Sequence, residues 1–184
     1  MASHPAPAWR MSLAGSELAR IAWEGEDGEA RVLALHFAVA QVRPSWHGRP
    51  ASRFGQGDDT AYLPGVVWRL SGVVVAAEVA DADAVGADKA LAAMLNQAPG
   101  RVSGGGLRVA ADGAGKLENP LAGRSELRSE VPLPAEFTTA ERAGIVLRLD
   151  LAHGTVLTLR ASGLRCALAA GLADDAAGWP SLAC

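Results

Sequence analysis

The chain has 184 residues, 49% of them apolar and 20% charged, with a formal net charge of −3. That length can bury the core of a single domain. The acidic balance disfavours a nucleic-acid binder that works through a broad basic surface. Lysine occurs only at Lys89 and Lys116. With so much Ala and Gly, this reads as the codon bias of a GC-rich, bacterial genome.

Residues 1–12, with Pro5 and Pro7, read as a disordered leader. Met1 to Gly15 holds no apolar stretch of the length a secretory signal needs, and no run reaches transmembrane length. The expectation is a cytoplasmic protein with no membrane partner. A single β domain is expected over 13–168, followed by an Ala-rich tail over 169–184.

Glu17 to Glu24 is the first expected strand, and Gly25-Glu26-Asp27-Gly28 is a turn by composition. Glu29 to Arg43 is a long second strand. Its period of two puts Leu33, Leu35, Phe37 and Val39 on one face and Ala34, His36, Ala38 and Ala40 on the other. Straight, it would approach about 50 Å, too long for a small flat sheet, so it must twist or bend. The third apolar run, Tyr62 to Ala80, is as long and carries Gly72 where a bulge or bend is the usual meaning of a strand glycine.

A short helix is expected near 84–97. Leu91, Met94 and Leu95 have helical spacing, Asp83 can cap the start, and Pro99-Gly100 lies past the end. The small face of the second strand is a suitable packing partner. Gly104-Gly105-Gly106 reads as a flexible approach to a strand at Leu107 to Ala110. Residues 111–125 are turn-rich. Glu126 to Leu133 forms another strand, stopped by Pro132 and Pro134.

The clearest pattern comes last. Ile145, Leu147, Leu149 and Leu151 alternate with Val146, Arg148 and Asp150. After Ala152-His153-Gly154 the alternation resumes with Leu157, Leu159 and Ala161, which is a hairpin. Leu164 to Leu168 is the final strand. The fold class is all-β and mainly antiparallel: a partly closed barrel or orthogonal sandwich with one short helix.

Chemical signals are sparse. Cys166 and Cys184 show no CxxC or zinc spacing. Cys166 is expected to be a small buried hydrophobe and Cys184 an exposed thiol. No two histidines have local ligand spacing, so no metal and no cofactor is indicated. The triple glycine lacks the Lys-Ser/Thr of a phosphate loop. His47 with Asp58 or Asp59 could form an acid–base pair, but no nucleophile elbow accompanies it, and no catalytic residue is assigned.

The best site is the 44–60 loop, long enough to be either functional or disordered. It carries Trp46, His47, Arg49, Arg53 and Phe54, and Trp and Arg are the types that dominate binding hot spots. The sequence therefore favours a noncatalytic binding or accessory module that offers this loop to a small molecule or a protein partner. The alternatives are an enzyme whose site assembles at a barrel mouth, with His36 or His47 as base, and an assembly subunit that associates through sheet edges.

Overall fold

The computed structural model describes residues 9–25, 31–44, 60–74, 89–95, 97–110, 126–140 and 144–168. Among them, nine strands follow one another: β1 (Trp9–Glu24), β2 (Val32–Pro44), β3 (Ala61–Ser71), β4 (Gly100–Val109), β5 (Glu130–Leu133), β6 (Ala135–Thr138), β7 (Ile145–Leu151), β8 (Val156–Ala161) and β9 (Gly163–Leu168). Among the described residues there is one short helix, α1, seen over 89–94 between β3 and β4. Every strand pairing is antiparallel, in the order β6-β9-β3-β2-β1-β4-β7-β8, with β5 also on β1.

The sheet curls because single stretches of chain serve two neighbours. β8 pairs with β7, and beyond Ser162 the same chain continues as β9 on β3. At this crossing the Ser162 amide donates to the Ser71 carbonyl at 3.1 Å, and the Val74 amide donates to the Arg160 carbonyl at 2.9 Å. β5 and β6 likewise follow each other across the cis Leu133–Pro134 bond, β5 on β1 and β6 on β9. The two ends of the path are thereby drawn together into a partly closed barrel.

A corner across β1, β2 and β3 supplies the rest of the curvature. In β2 the positions that enter the interior cluster are Leu33, Leu35 and Phe37, then Ala40 and Val42, while Ala34 is buried on the opposite row. The inward row changes parity between 37 and 40. β3 does the same, from half-buried Ala61 and Leu63 to buried Val66, Trp68 and Leu70, with Gly65 at φ 68° between them. In β1 the register jumps from Ser12↔Gln41 to Glu17↔Val39. Gly15 at φ 86° takes the left-handed turn there. Buried Ser16 then satisfies the broken ladder: its hydroxyl donates to the Ser12 carbonyl at 2.7 Å and accepts from the Gln41 amide at 3.0 Å.

Inside lies one apolar cluster of Leu, Val, Ile and Met around Trp68 and Phe37, whose rings tilt at 59° with centroids 5.4 Å apart. The C-terminal hairpin follows its expected register, with Leu147↔Leu159 and Leu149↔Leu157 all buried. Cys166 is a buried free thiol in β9. Burial in apolar surroundings pushes its pKa well up.

Several expectations are corrected. The leader expected over 1–12 does not hold for 9–12, where Trp9 to Ser12 form the first rungs of β1 and Met11 is fully buried, and residues 1–8 lie outside the described residues. Val39 leaves the buried row of β2 and Ala40 enters it, since the corner shifts the alternation by one. The triple glycine is the bulged middle of β4, whose register slips between Val102 and Gly104. A Cβ on Gly105 would run into the Arg148 backbone carbonyl. β6 was not anticipated, and Pro132 lies within β5 rather than ending it. Of the helix expected near 84–97, residues 89–94 are described and helical, and 84–88 lie outside the described residues. Leu91 and Met94 enter the interior cluster, and Leu95 bridges to Ile21 beyond the point where β4 leaves β1. The helix thus fills the gap between diverging strands instead of covering the small face of β2. The tail expected over 169–184, with Cys184, lies outside the described residues.

Candidate binding face at the root of the 44–60 loop

The two strands that carry the candidate loop are paired along nearly their whole length, from Val32↔Ser71 to Val42↔Ala61. The loop therefore leaves and re-enters the barrel on adjacent strands at one end. Trp46, His47, Arg49, Arg53 and Phe54 lie outside the described residues, as do Asp58 and Asp59. What the structure describes is the set of strands at the loop's two ends.

On that frame, Met11, Leu13, Ala40 and Val42 point inward. The alternate residues therefore point outward: Arg10 and Ser12 from β1, Gln41 and Arg43 from β2, Tyr62 from β3. Their register sets them in two rungs. Pro132, Arg10 and Arg43 share one. Glu130, Ser12, Gln41 and Tyr62 share the next. Arg10 and Arg43 are exposed, and Tyr62 is the most exposed large apolar side chain described, at 58%. Thr60, one residue before β3, holds a hydroxyl oxygen that is shielded from solvent and has no hydrogen-bond partner. Sequence reasoning missed this face by assigning Arg10 to the leader. Alternation of Arg10 and Ser12 with Met11 and Leu13 was the available signal.

A second charged group lies past the corner, on the outer face of β1, β2 and β3. Arg69 Nε donates to Glu24 Oε2 at 2.8 Å. His36 Nε2 is 3.3 Å from Glu24 Oε1 and 3.5 Å from Arg20 Nη2. One ring nitrogen cannot donate to Glu24 and accept from Arg20 at once. Protonated His36 favours the carboxylate, and a neutral ring with a bare Nε2 favours the guanidinium. The Arg69 hydrogen bond is the largest cause holding the Glu24 carboxyl below its usual range, and burial opposes it. His36 thus belongs to a half-exposed ion network outside the barrel, not to an interior mouth where a base would meet an enclosed substrate.

His153 sits in the β7–β8 turn, where the Thr155 hydroxyl lies 3.0 Å from its Nδ1. Among the described residues no cluster of three His, Cys, Asp or Glu side chains is placed to hold a metal ion. No helix among them is long and apolar enough to cross a membrane. The chain matches no family model, no curated protein and no solved structure.

Proposed function

We propose that this protein is a noncatalytic binding module that presents its 44–60 loop to a small ligand or protein partner. Trp46, His47, Arg49, Arg53 and Phe54 supply the contacts. The observation that carries this reading is the unbroken pairing of β2 with β3 up to Val42↔Ala61. It fixes both ends of the loop on neighbouring strands of a packed barrel, the arrangement in which rigid scaffolds display recognition loops. The exposed face at the loop's root adds Arg10 and Tyr62, residue types enriched in hot spots.

The functional groups that are described support binding better than catalysis. His36 is engaged by Glu24 and Arg20 on an open sheet surface, and Cys166 is buried with its thiol held neutral. The test is to purify the protein at native abundance and identify by mass spectrometry what remains bound, small molecules and proteins alike. A partner retained by the wild type and lost from Trp46→Ala/Arg49→Ala supports the reading. Equal retention by both overturns it.

A further inference from the structure

At the corner that separates the loop root from the rest of the barrel, β2 and β3 bend together. Their register is the same from Val32↔Ser71 to Val42↔Ala61, so they form one ribbon that carries both ends of the 44–60 loop. β1 takes up the whole mismatch. From Ser12↔Gln41 to Glu17↔Val39 it advances five residues while β2 passes two. Such a bulge disrupts the ladder and removes backbone bonds that would otherwise fix the bend. Side-chain bonds replace them. The Gln41 amide faces β1 and donates to the Ser16 hydroxyl at 3.0 Å, and that hydroxyl donates to the Ser12 carbonyl at 2.7 Å. Ser12 lies across from Gln41, so one hydroxyl ties both members of the last rung before the bulge. The Ser12 hydroxyl in turn donates to the Ala14 carbonyl at 3.1 Å, inside the bulge. The Gln41 side chain lies over Gly15, where a Cβ would run into its amide oxygen. Ser16 is fully buried, and removing its hydroxyl takes a buried partner from two backbone groups at once.

We propose that Ser16 is the positioning residue of the binding end: by clasping Gln41 to Ser12 it sets the direction in which the β2–β3 ribbon carries the 44–60 loop. The inference rests on the reading of that loop as the binding element, and it adds the device that aims it. Ser16 touches no partner and acts through Gln41. β2 ends at Pro44, three residues beyond Gln41, so a change of angle at the bend displaces the loop as a whole. Without the hydroxyl, the root rungs Arg10↔Arg43 and Ser12↔Gln41 open more often, as local opening follows local bonding. One hydrogen bond of this kind shifts an opening equilibrium by about tenfold. β7 pairs with β4 and β8 and not with the ribbon, so the C-terminal hairpin does not share the loss.

The test compares wild type, Ser16→Ala and Ser103→Ala as full chains, with circular dichroism to verify folding. Ser103 makes the same kind of bond on β4, to the Asp150 carbonyl at 2.9 Å. In Ser16→Ala, amide exchange at Arg10, Ser12, Gln41 and Arg43 speeds up about tenfold or more, while Leu147 and Leu159 keep wild-type rates. In 5-fluorotryptophan-labelled protein the Trp46 resonance, assigned by its loss from Trp46→Ala/Arg49→Ala, shifts or broadens, and that of buried Trp68 holds. Ser103→Ala leaves both readouts at wild-type values. So does Leu147→Ala at the root rungs and at Trp46, although it costs more stability, which separates positioning from general loosening. Ser16→Cys, near serine in volume but a weaker donor and acceptor, gives the Ser16→Ala pattern at smaller size. Unchanged exchange on the root rungs, a rise shared equally by the β7–β8 amides, or an unmoved Trp46 resonance overturns the inference. Equal partner retention by wild type and Trp46→Ala/Arg49→Ala defeats the loop reading instead, and these two readouts still decide the role of Ser16.

Discussion

Leu147→Ala is the sharpest probe of how the barrel is held together. Leu107, Leu147 and Leu159 occupy one level on β4, β7 and β8, and all three are buried. Truncation removes about three methylene equivalents, worth roughly 2.4 kcal/mol at ~0.8 kcal/mol each. Strands fixed on both sides by backbone ladders cannot close the void, so a cavity term adds to this, for a total of about 3–4 kcal/mol. That is a large part of the 5–15 kcal/mol typical of a whole domain. Urea unfolding followed by tryptophan fluorescence reads it directly, because Trp68 is fully buried in the same core. With a slope near 2–3 kcal/mol per molar, the midpoint falls by roughly 1–2 M while the slope holds. Val156→Ala, at an exposed position on β8, stays within about 0.5 kcal/mol. A cost for Leu147→Ala as small as that of Val156→Ala would refute the assigned inward face.

Other outcomes follow from single contacts. Gly105→Ala places a Cβ against the Arg148 carbonyl at φ 135°, so it destabilises by about 1–3 kcal/mol and speeds amide exchange across β4 and β7; unchanged exchange contradicts the register. The Glu24 carboxyl, held low chiefly by Arg69, contributes stability that is present above its unfolded pKa and is lost as pH falls through its lower folded pKa. Carboxyl titration by NMR shows that depression, and Arg69→Gln moves the value back up; an unmoved value means another group sets it. Cys166 reacts slowly with a thiol reagent until denaturant is added, as burial and a raised pKa require. Fast labelling in the folded state contradicts its place in the core.

Parts of this fold were legible because alternation was undisturbed. The C-terminal hairpin runs Ile145 to Leu151 and Val156 to Ala161 without a bulge, so period two alone gives its buried face. Phe37 and Leu35 were readable for the same reason. Val39 and Ala40 were not, because their assignment depends on a corner shared with Ser16 on β1 and Gly65 on β3, a coordination among strands that no local window contains. β6 is four residues long with buried Phe137, too short for a periodic signal to separate it from a loop. The helix was legible in type from Leu91 and Met94, but its partner was set by the gap left where β4 departs from β1. At the candidate site, composition flagged the loop from Trp46 to Phe54. The placement of Arg10 directly across from Arg43 at its root exists only once β1 and β2 are paired.

The central claim is that the 44–60 loop binds while the barrel only holds it. It is tested by measuring partner retention and urea stability on the same preparations of wild type and Trp46→Ala/Arg49→Ala. The account predicts that retention is lost, at a cost of ~2 kcal/mol or more in binding, while folding stability changes by under about 0.5 kcal/mol. A fall of several kcal/mol in stability with retention intact would show Trp46 to be part of the core, and would contradict the account.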